Sequence, residues 1–320
     1  MKKIILMCPA YSGYGNKIKD VMENSQNCEV LYIPHEKFKY RYKNIFEKLY
    51  NNFFSKIFLK KNVKKIKEKE ILYKKVQEFG DIHGVVVIRP DFYDMEFIKF
   101  LKAKNSPMVL HFWDSISYKP EQKKYIEYFD YLYSFDKKEA KEYKMEFLPN
   151  FYMKDKIQKF KTPKYDAFTV MSYDERFEEL ESLAKKLKEQ SISYKFIVVT
   201  KKNIKSDYIE IRKEVISLEK MYEYYSKSKA VVEIGHNALQ KQGGLSFRAI
   251  DALGNKKKLI TTYELIKDYD FYNPNNIMVL EKDYTIDRDF FKKEYEDIQE
   301  DIYRKYSDEE WVKRLIENIG

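Results

Sequence analysis

Short, mainly apolar runs recur along this chain, at residues 3–8, 29–33, 84–90, 107–115, 131–136, 166–171, 194–200, 230–235, 258–262 and 277–280. Each predicts a buried strand, because a strand covered on both faces shows no alternation of polar and apolar positions. Between the runs the apolar residues take helical spacing. A helix is expected to start near Asn16, and Asp136 is placed to cap another over 137–143. Phe177, Leu180, Leu183, Ala184 and Leu187 mark the apolar side of a third. Two charged helices close the chain, over 288–303 and 307–318, the second burying Trp311, Leu315 and Ile316. Strands alternating with helices predict an α/β protein with doubly wound, Rossmann-like sheets. Periodicity lapses into a lysine-rich stretch at 151–165, which predicts a linker between domains at 1–150 and 166–320.

One helical pattern stands apart. Ile45, Phe46, Leu49, Tyr50, Phe53, Phe54, Ile57 and Phe58 fall in adjacent pairs every four residues, while Lys43, Lys48, Asn51, Asn52, Ser55, Lys56 and Lys60 take the other side. This is an amphipathic helix, and two readings of it stand: the apolar face packs on its own domain, or it seats the chain on a membrane. Charge bears on the choice. The formal net charge is +10, and residues 37–77 alone hold 14 basic and 3 acidic side chains, which suits an anionic membrane surface. A nucleic acid would also be drawn to such a segment, but no recognition motif accompanies it, so no nucleic-acid partner is expected. A non-catalytic protein binding membranes or nucleic acid through 37–77 remains the rival from another class.

With 44% hydrophobic residues, 9 Gly and 8 Pro, the composition is that of a globular chain. Two cysteines make no disulfide framework and suit a reducing cytoplasm. The first apolar run breaks at Pro9, unlike a signal peptide, and no stretch approaches the roughly 18 apolar residues of a membrane span. The expected location is therefore cytoplasmic, peripheral at the inner face of the membrane if the amphipathic helix docks there.

Chemistry concentrates at strand ends, where open α/β sheets bind ligands. After the first run comes a loop with Gly13, Tyr14 and Gly15, which lacks the third glycine of a dinucleotide fingerprint and reads as an acceptor-side loop or a plain turn. Arg89 and Asp91 follow the strand at 84–90. His111, Asp114 and Ser115 surround the end of the next, making Asp114 a candidate general base and His111 a second, against helix capping by Asp114 or Ser115. The stretch 241–262 is the richest. Its pair Gly243 and Gly244 precedes Ser246, a plausible N-cap, and a short helix that Gly254 closes. Such a helix start offers N–H groups to a phosphate, and Arg248 one turn in would add a guanidinium fork; a glycine turn before an ordinary helix is the plain alternative. His35, His83, His111 and His236 are scattered, neither cysteine has metal-ligand spacing, and no Asp-x-Asp triplet stands at a strand end, so no metal site is expected.

Residues 221–280 run in a recognisable order: Met221 to Lys229, the apolar run at 230–235, the glycine turn, the helix with Asp251, a strand, and Asp270-Phe271-Tyr272-Asn273-Pro274-Asn275-Asn276-Ile277. This order resembles the donor-binding half of bacterial GT-B-fold glycosyltransferases that build capsule, exopolysaccharide or lipopolysaccharide. The resemblance implies two domains facing across a cleft, the second holding a nucleotide-sugar donor and the first a glycan or lipid-linked acceptor. The donor would be a substrate, no cofactor is implied, and transfer would proceed without a metal. By position Gly243, Gly244 and Ser246 would face the diphosphate, Arg248 would neutralise it, and Asp251 would point at the ribose or sugar. Ser172 and Arg176, in the loop after the strand at 166–171, would border the donor, although Arg176 has Glu175 and Glu179 as alternative partners. Gly13, Tyr14 and Arg89 would lie on the acceptor side, and the terminal helix would return to the first domain. Many retaining members carry two glutamates seven residues apart; here the earlier position is Gly243 and the later Asp251, so no stereochemical outcome follows. A nucleotide-sugar epimerase of the same fold is the alternative chemistry.

Overall fold

The computed structural model describes the 320 residues except 11–12, 36–39, 58–61, 159–161, 236–242, 282 and the side chain of Lys65. Expectations resting on Phe58, Lys60, His236, Lys241 and Gln242 therefore lie outside the described residues. Two compact units emerge, one made of residues 1–133 with 312–320 and the other of 134–311.

The first sheet has the order β2-β1-β3-β4-β5-β6, from β1 (Lys2–Met7), β2 (Cys28–Ile33), β3 (Gly84–Ile88), β4 (Met108–Phe112), β5 (Tyr131–Ser134) and β6 (Glu146–Phe147). The pairings of β1 with β2 and β3, and of β3 with β4, are parallel. β3 and β4 are buried at every position, the reason β3 is an unbroken apolar run and β4 is broken only by His111. Helices α1 (Tyr14–Ser25), α2 (Ile45–Leu49), α3 (Val63–Phe79) and α4 (Met95–Lys102) belong to this unit. The C-terminal residues close it: the Lys2 ammonium donates to the Ile319 carbonyl at 2.7 Å, and the Ile319 side chain lies where Gly84 leaves room for it.

The second sheet has the order β12-β11-β10-β7-β8-β9 and is parallel throughout. Its strands are β7 (Tyr165–Ser172), β8 (Tyr194–Val199), β9 (Glu210–Arg212), β10 (Ser228–Glu233), β11 (Lys258–Thr261) and β12 (Ile277–Val279). Helices α5 (Lys137–Glu142), α6 (Phe177–Glu189), α7 (Leu218–Ser226), α8 (Phe247–Gly254) and α9 (Glu300–Lys305) lie in this unit, and α10 (Asp308–Leu315) begins in it and passes into the first unit at Val312. The α6 residues Leu180, Leu183, Ala184 and Leu187 are fully buried in the core, as their spacing predicts.

Three expectations change. The division comes after Tyr133, earlier than 151–165, because residues 135–153 pack with the rest of the second unit: the Asn150 amide donates to the Leu245 carbonyl at 2.8 Å and Phe151 packs on Phe247 and Trp311. The helix expected over 288–303 is only a 3₁₀ turn (Arg288–Phe291) followed by α9. Asparagine side chains take the intervening backbone groups: Asn276 accepts from Glu296 N–H and donates to its carbonyl, and Asn275 donates to the Glu294 carbonyl, competing with helix formation as short amide side chains do.

The third change is in the amphipathic helix. It starts as α2, N-capped by Asn44, and continues as a π-helical stretch (Tyr50–Ser55). Two residues of its polar side, Asn51 and Ser55, face inward, while Lys43, Lys48 and Lys56 stay exposed. Asn51 is fully buried, donating to the Tyr42 hydroxyl at 2.7 Å and accepting from Val63 N–H at 2.8 Å, and Ser55 is 1% exposed. The aromatic side faces outward, with Phe46 77%, Ile45 67%, Phe53 63% and Ile57 61% exposed. Packing of the apolar face on its own domain is thus excluded for these residues.

Candidate functional site

In each sheet the chain reverses its direction of winding beside the first strand laid down. In the first sheet β2 lies on one side of β1 and β3 on the other, and in the second β8 and β10 flank β7 in the same way. Loops leaving the carboxyl ends of the two central strands turn apart at such a point and leave a crevice, the usual ligand site of doubly wound folds.

At the first reversal the loop after β1 ends in Gly13, whose φ of 74° is left-handed and caps α1 without a side chain, a conformation that suits glycine. Tyr14 is buried and meets Trp113, beyond the end of β4, edge-on at 6.0 Å. Arg89 follows β3 with a φ of 59°. Its guanidinium takes Asp91 in a two-pronged pair at 2.8 and 2.9 Å and also bonds Asp114. All three side chains are at most 20% exposed. Arg89 thus joins the ends of β3 and β4, and Asp114 stands at the site as a carboxylate fixed by a cation. His111 is different: it lies within β4, fully buried, away from any surface an acceptor would reach. The ring of Phe92 stacks on His35 at 4.3 Å and lies 4.5 Å from the Arg89 guanidinium. Beside it a pocket of about 290 Å³ is lined by His35, Phe92, Tyr93, Asp94, Glu68 and Lys69. His35 and Phe92 were not singled out from sequence; the only signal was a histidine two residues past a strand.

At the second reversal two arginines lace β7 to β10. Arg176, at the start of α6, donates to the Ile234 carbonyl just past β10 at 3.1 Å, and its charge is met by Asp174. Arg248, in α8, donates Nη2 to the Val170 carbonyl of β7 at 2.7 Å, a neutral partner. The expected pairing of Arg176 with Glu175 or Glu179 gives way to Asp174, two residues back in the same loop. Ser172 is exposed at the end of β7.

The glycine turn does two jobs. Ser246 caps α8, accepting from Ala249 N–H, while its hydroxyl donates to Glu233 at the end of β10. Glu233 is 5% exposed and also accepts from the Thr261 hydroxyl at 3.2 Å. This buried carboxylate ties together the ends of β10, β11 and the start of α8, and it was missed although a lone glutamate in an apolar run is a visible signal. Gly243 N–H is already engaged, donating to Asp136 at 2.5 Å, and Tyr263 donates to the Gly243 carbonyl. Asp136 also caps α5 through Lys138 and Glu139 N–H, as expected. A carboxylate therefore occupies the anion position expected of a diphosphate at Gly243.

Asp251 does not reach this crevice. It is 1% exposed on the inner side of α8 and accepts from the Tyr222 hydroxyl at 2.7 Å. Burial raises its carboxyl to about 7, against the opposing pull of Tyr222, Arg248 and Tyr225. Among the described residues no three His, Cys, Asp or Glu side chains gather as metal ligands.

No family model matches the sequence, and no curated protein matches it either. Solved structures match its fold over the whole chain. The apo lipopolysaccharide outer core galactosyltransferase WaaB is 13% identical with a TM-score of 0.54, covering 100% of this chain and 99% of its own. AviGT4, a glycosyltransferase involved in avilamycin A biosynthesis, is 9% identical with a TM-score of 0.56, the match covering 100% of this chain and 97% of that one. The chain has the GT-B fold. The UDP-GlcNAc 2-epimerase from Neisseria meningitidis, solved with UDP-GlcNAc, shares this fold at 9% identity and a TM-score of 0.52, with 99% of each chain covered.

Proposed function

We propose that this protein is a glycosyltransferase that moves a sugar from a nucleotide-sugar donor to a hydroxyl of a cell-surface glycan or lipid-linked acceptor. The observation that carries the reading is Arg248: on a GT-B fold, at the reversal of the second sheet, it is a cation whose hydrogen-bond partner is a neutral carbonyl. Such a guanidinium is suited to the diphosphate of a donor and to the charge that grows on it as the sugar leaves. The start of α8 supports the same charge through its N–H groups, with no metal in the scheme. Ser172, Gly244 and Ser246 border that anion, and Arg176 ties the loop after Ser172 to the Ile234 carbonyl. Gly243 joins them if the diphosphate displaces the Asp136 carboxylate. In the first unit Asp114, oriented by Arg89, would accept the proton of the attacking hydroxyl, and Gly13, Tyr14 and Arg89 would shape the acceptor loop.

Nucleotides test this directly. One of UDP, GDP, CMP, dTDP and CDP is expected to stabilise the fold by about 2.7 kcal/mol at 100 times its dissociation constant. Arg248→Gln should lose most of that thermal shift while melting near wild type without ligand. Indifference to all five nucleotides would overturn the donor site. Turnover of the nucleotide sugar without an acceptor would replace transfer by epimerisation.

The acceptor would be met at a membrane. No helix among the described residues is long and apolar enough to cross one, but the outward face of α2 and its π-helical continuation presents Phe46, Leu49, Tyr50, Phe53, Phe54 and Ile57 to solvent. Aromatic side chains out and lysines around them suit the interface of an anionic bilayer. The double variant Phe46→Ser and Phe53→Ser is expected to lose co-flotation with phosphatidylglycerol vesicles. Its unfolding free energy should stay within about 0.5 kcal/mol of wild type, since both rings are exposed. Undiminished flotation would remove the membrane from the scheme.

A further inference from the structure

The pocket beside Phe92 has no part in the scheme above. Three segments of the first unit enclose its volume of about 290 Å³: the end of β2 with Pro34 and His35, α3 with Glu68 and Lys69, and the turn into α4 with Phe92 and Asp94. Its floor is fixed. Tyr93, 7% exposed, donates its hydroxyl to the Ile33 carbonyl at 2.9 Å, and its own carbonyl accepts from the Tyr125 hydroxyl at 3.0 Å. The rings of His35 and Phe92 form one wall, nearly parallel at 14°. The two carboxylates are fixed as well: Glu68 accepts from Tyr40 N–H through Oε1 and Asp94 from Glu96 N–H through Oδ1, each at 2.9 Å. A backbone donor on one oxygen sets the plane of a carboxylate, which has further lone pairs for a ligand.

The lining is of both signs. Glu68 and Asp94 call for donors, and the Lys69 ammonium calls for an acceptor. A phosphate would answer only the ammonium, and an amine only the carboxylates. A hydroxyl both donates and accepts, and a ring bearing several of them also has an apolar C–H face to lay on aromatic carbon. An apolar wall with a few fixed polar groups is the usual make-up of a small-molecule site, and this volume, at the lower end of the range, suits a single sugar ring. Position gives a second reason. Phe92 joins the pocket to the Arg89 guanidinium, which bonds Asp114. Lys67, the residue before Glu68 on α3, pairs with Glu47 of α2 at 3.0 Å. The pocket thus lies on the elements that connect the outward aromatic face to the Asp114 carboxylate.

We propose that this pocket binds an uncharged pyranose, the sugar of the acceptor next to the one whose hydroxyl Asp114 deprotonates. Its C–H face lies on the His35 and Phe92 pair, and its hydroxyls bond Glu68, Asp94 and Lys69. Sugar binding stands on the pocket alone, whereas its assignment to the acceptor rests on the transfer reading.

Methyl glycosides of glucose, galactose, mannose and N-acetylglucosamine are the probes, titrated against the full chain by saturation-transfer NMR. At least one is expected to bind with a dissociation constant of about 10 mM or lower, as suits a ligand of one ring. Glu68→Gln and Asp94→Asn keep the side-chain shape and the bonds from Tyr40 and Glu96 N–H, and asparagine caps a helix as well as aspartate does. Each is expected to weaken that glycoside about tenfold, the effect of losing a charge-assisted contact. His35→Ala should weaken it as much by removing the ring. In all three variants the melting temperature and the nucleotide-induced shift should stay at their wild-type values. Dissociation constants above about 50 mM for all the glycosides, or wild-type affinity in the three variants, overturn the proposal whatever the nucleotides do. Glycoside binding that weakens as expected, in a protein indifferent to all five nucleotides, keeps the sugar site and overturns its assignment to a transferase acceptor.

Discussion

Replacing Gly244 by valine is expected to cost the fold about 3 kcal/mol or more, the upper range for forcing atoms into a closed site. A Cβ at this position would lie 2.5 Å from Cε2 of the Phe135 ring and 2.7 Å from the Phe135 carbonyl oxygen. The ring can turn aside, but the carbonyl belongs to backbone held on both sides: Asp136 N–H donates to the Ser134 hydroxyl, and the Asp136 carboxylate binds Gly243 N–H. Relief therefore requires moving the glycine turn away from Phe135 and Asp136, which breaks the Gly243 bond and disturbs the cap of α5. Urea unfolding of Gly244→Val beside Ser246→Ala makes the comparison, the latter expected to cost about 1 kcal/mol as a lost N-cap. A Gly244→Val midpoint within error of wild type would show that the turn is not clamped in this way. Lost transfer activity in this variant would speak first of folding, so the donor site is better tested at Arg248.

This distinction shows what the chain reveals without coordinates. The parallel strands were legible because burial on both faces leaves few polar positions: β3 and the centre of β10 are unbroken apolar runs, and β4 is broken only by His111. Residues near the two reversals were legible because they sit at strand ends beside glycines and capping side chains, as Gly13, Arg89, Ser246 and Arg248 do. Their partners were not. Asp136 meets Gly243 across 107 positions of sequence, and nothing local in either segment announces the other. Asp136 was correctly read as a cap, yet its second oxygen satisfies the very N–H group that the glycine turn offers a phosphate. The side chain of Asp251 was assigned to a sugar by its place in an ordered pattern, whereas helix geometry turns it inward to Tyr222. In the amphipathic helix, periodicity defines two faces but not which one is inside. Asn51, with donor and acceptor both used, reverses the usual choice.

The inward position of Asp251 has a consequence that pH reads out. Its carboxyl titrates near 7 in the fold, against about 3.9 in an unfolded chain. Between those values the native protein keeps a proton that the unfolded chain has released, so the group's contribution to stability falls as pH rises through this window and is at its lowest above 7. Asparagine has the shape of the neutral acid, can still accept from Tyr222, and has no charge to bury. Asp251→Asn is therefore expected to gain on wild type as pH rises, the difference in unfolding free energy widening by about 2 to 3 kcal/mol from pH 5 to pH 8. Urea melts of both proteins at the two pH values measure it, and the comparison cancels every other titrating group to first order. A constant difference would mean that Asp251 is ionised inside the fold, with Arg248 close enough to compensate it. That outcome would draw the Arg248 charge inward, away from a diphosphate, and would count against the donor site as well. A widening gap with nucleotide binding unchanged leaves Arg248 facing the ligand and makes Asp251 a buried acid that holds α8 against Tyr222.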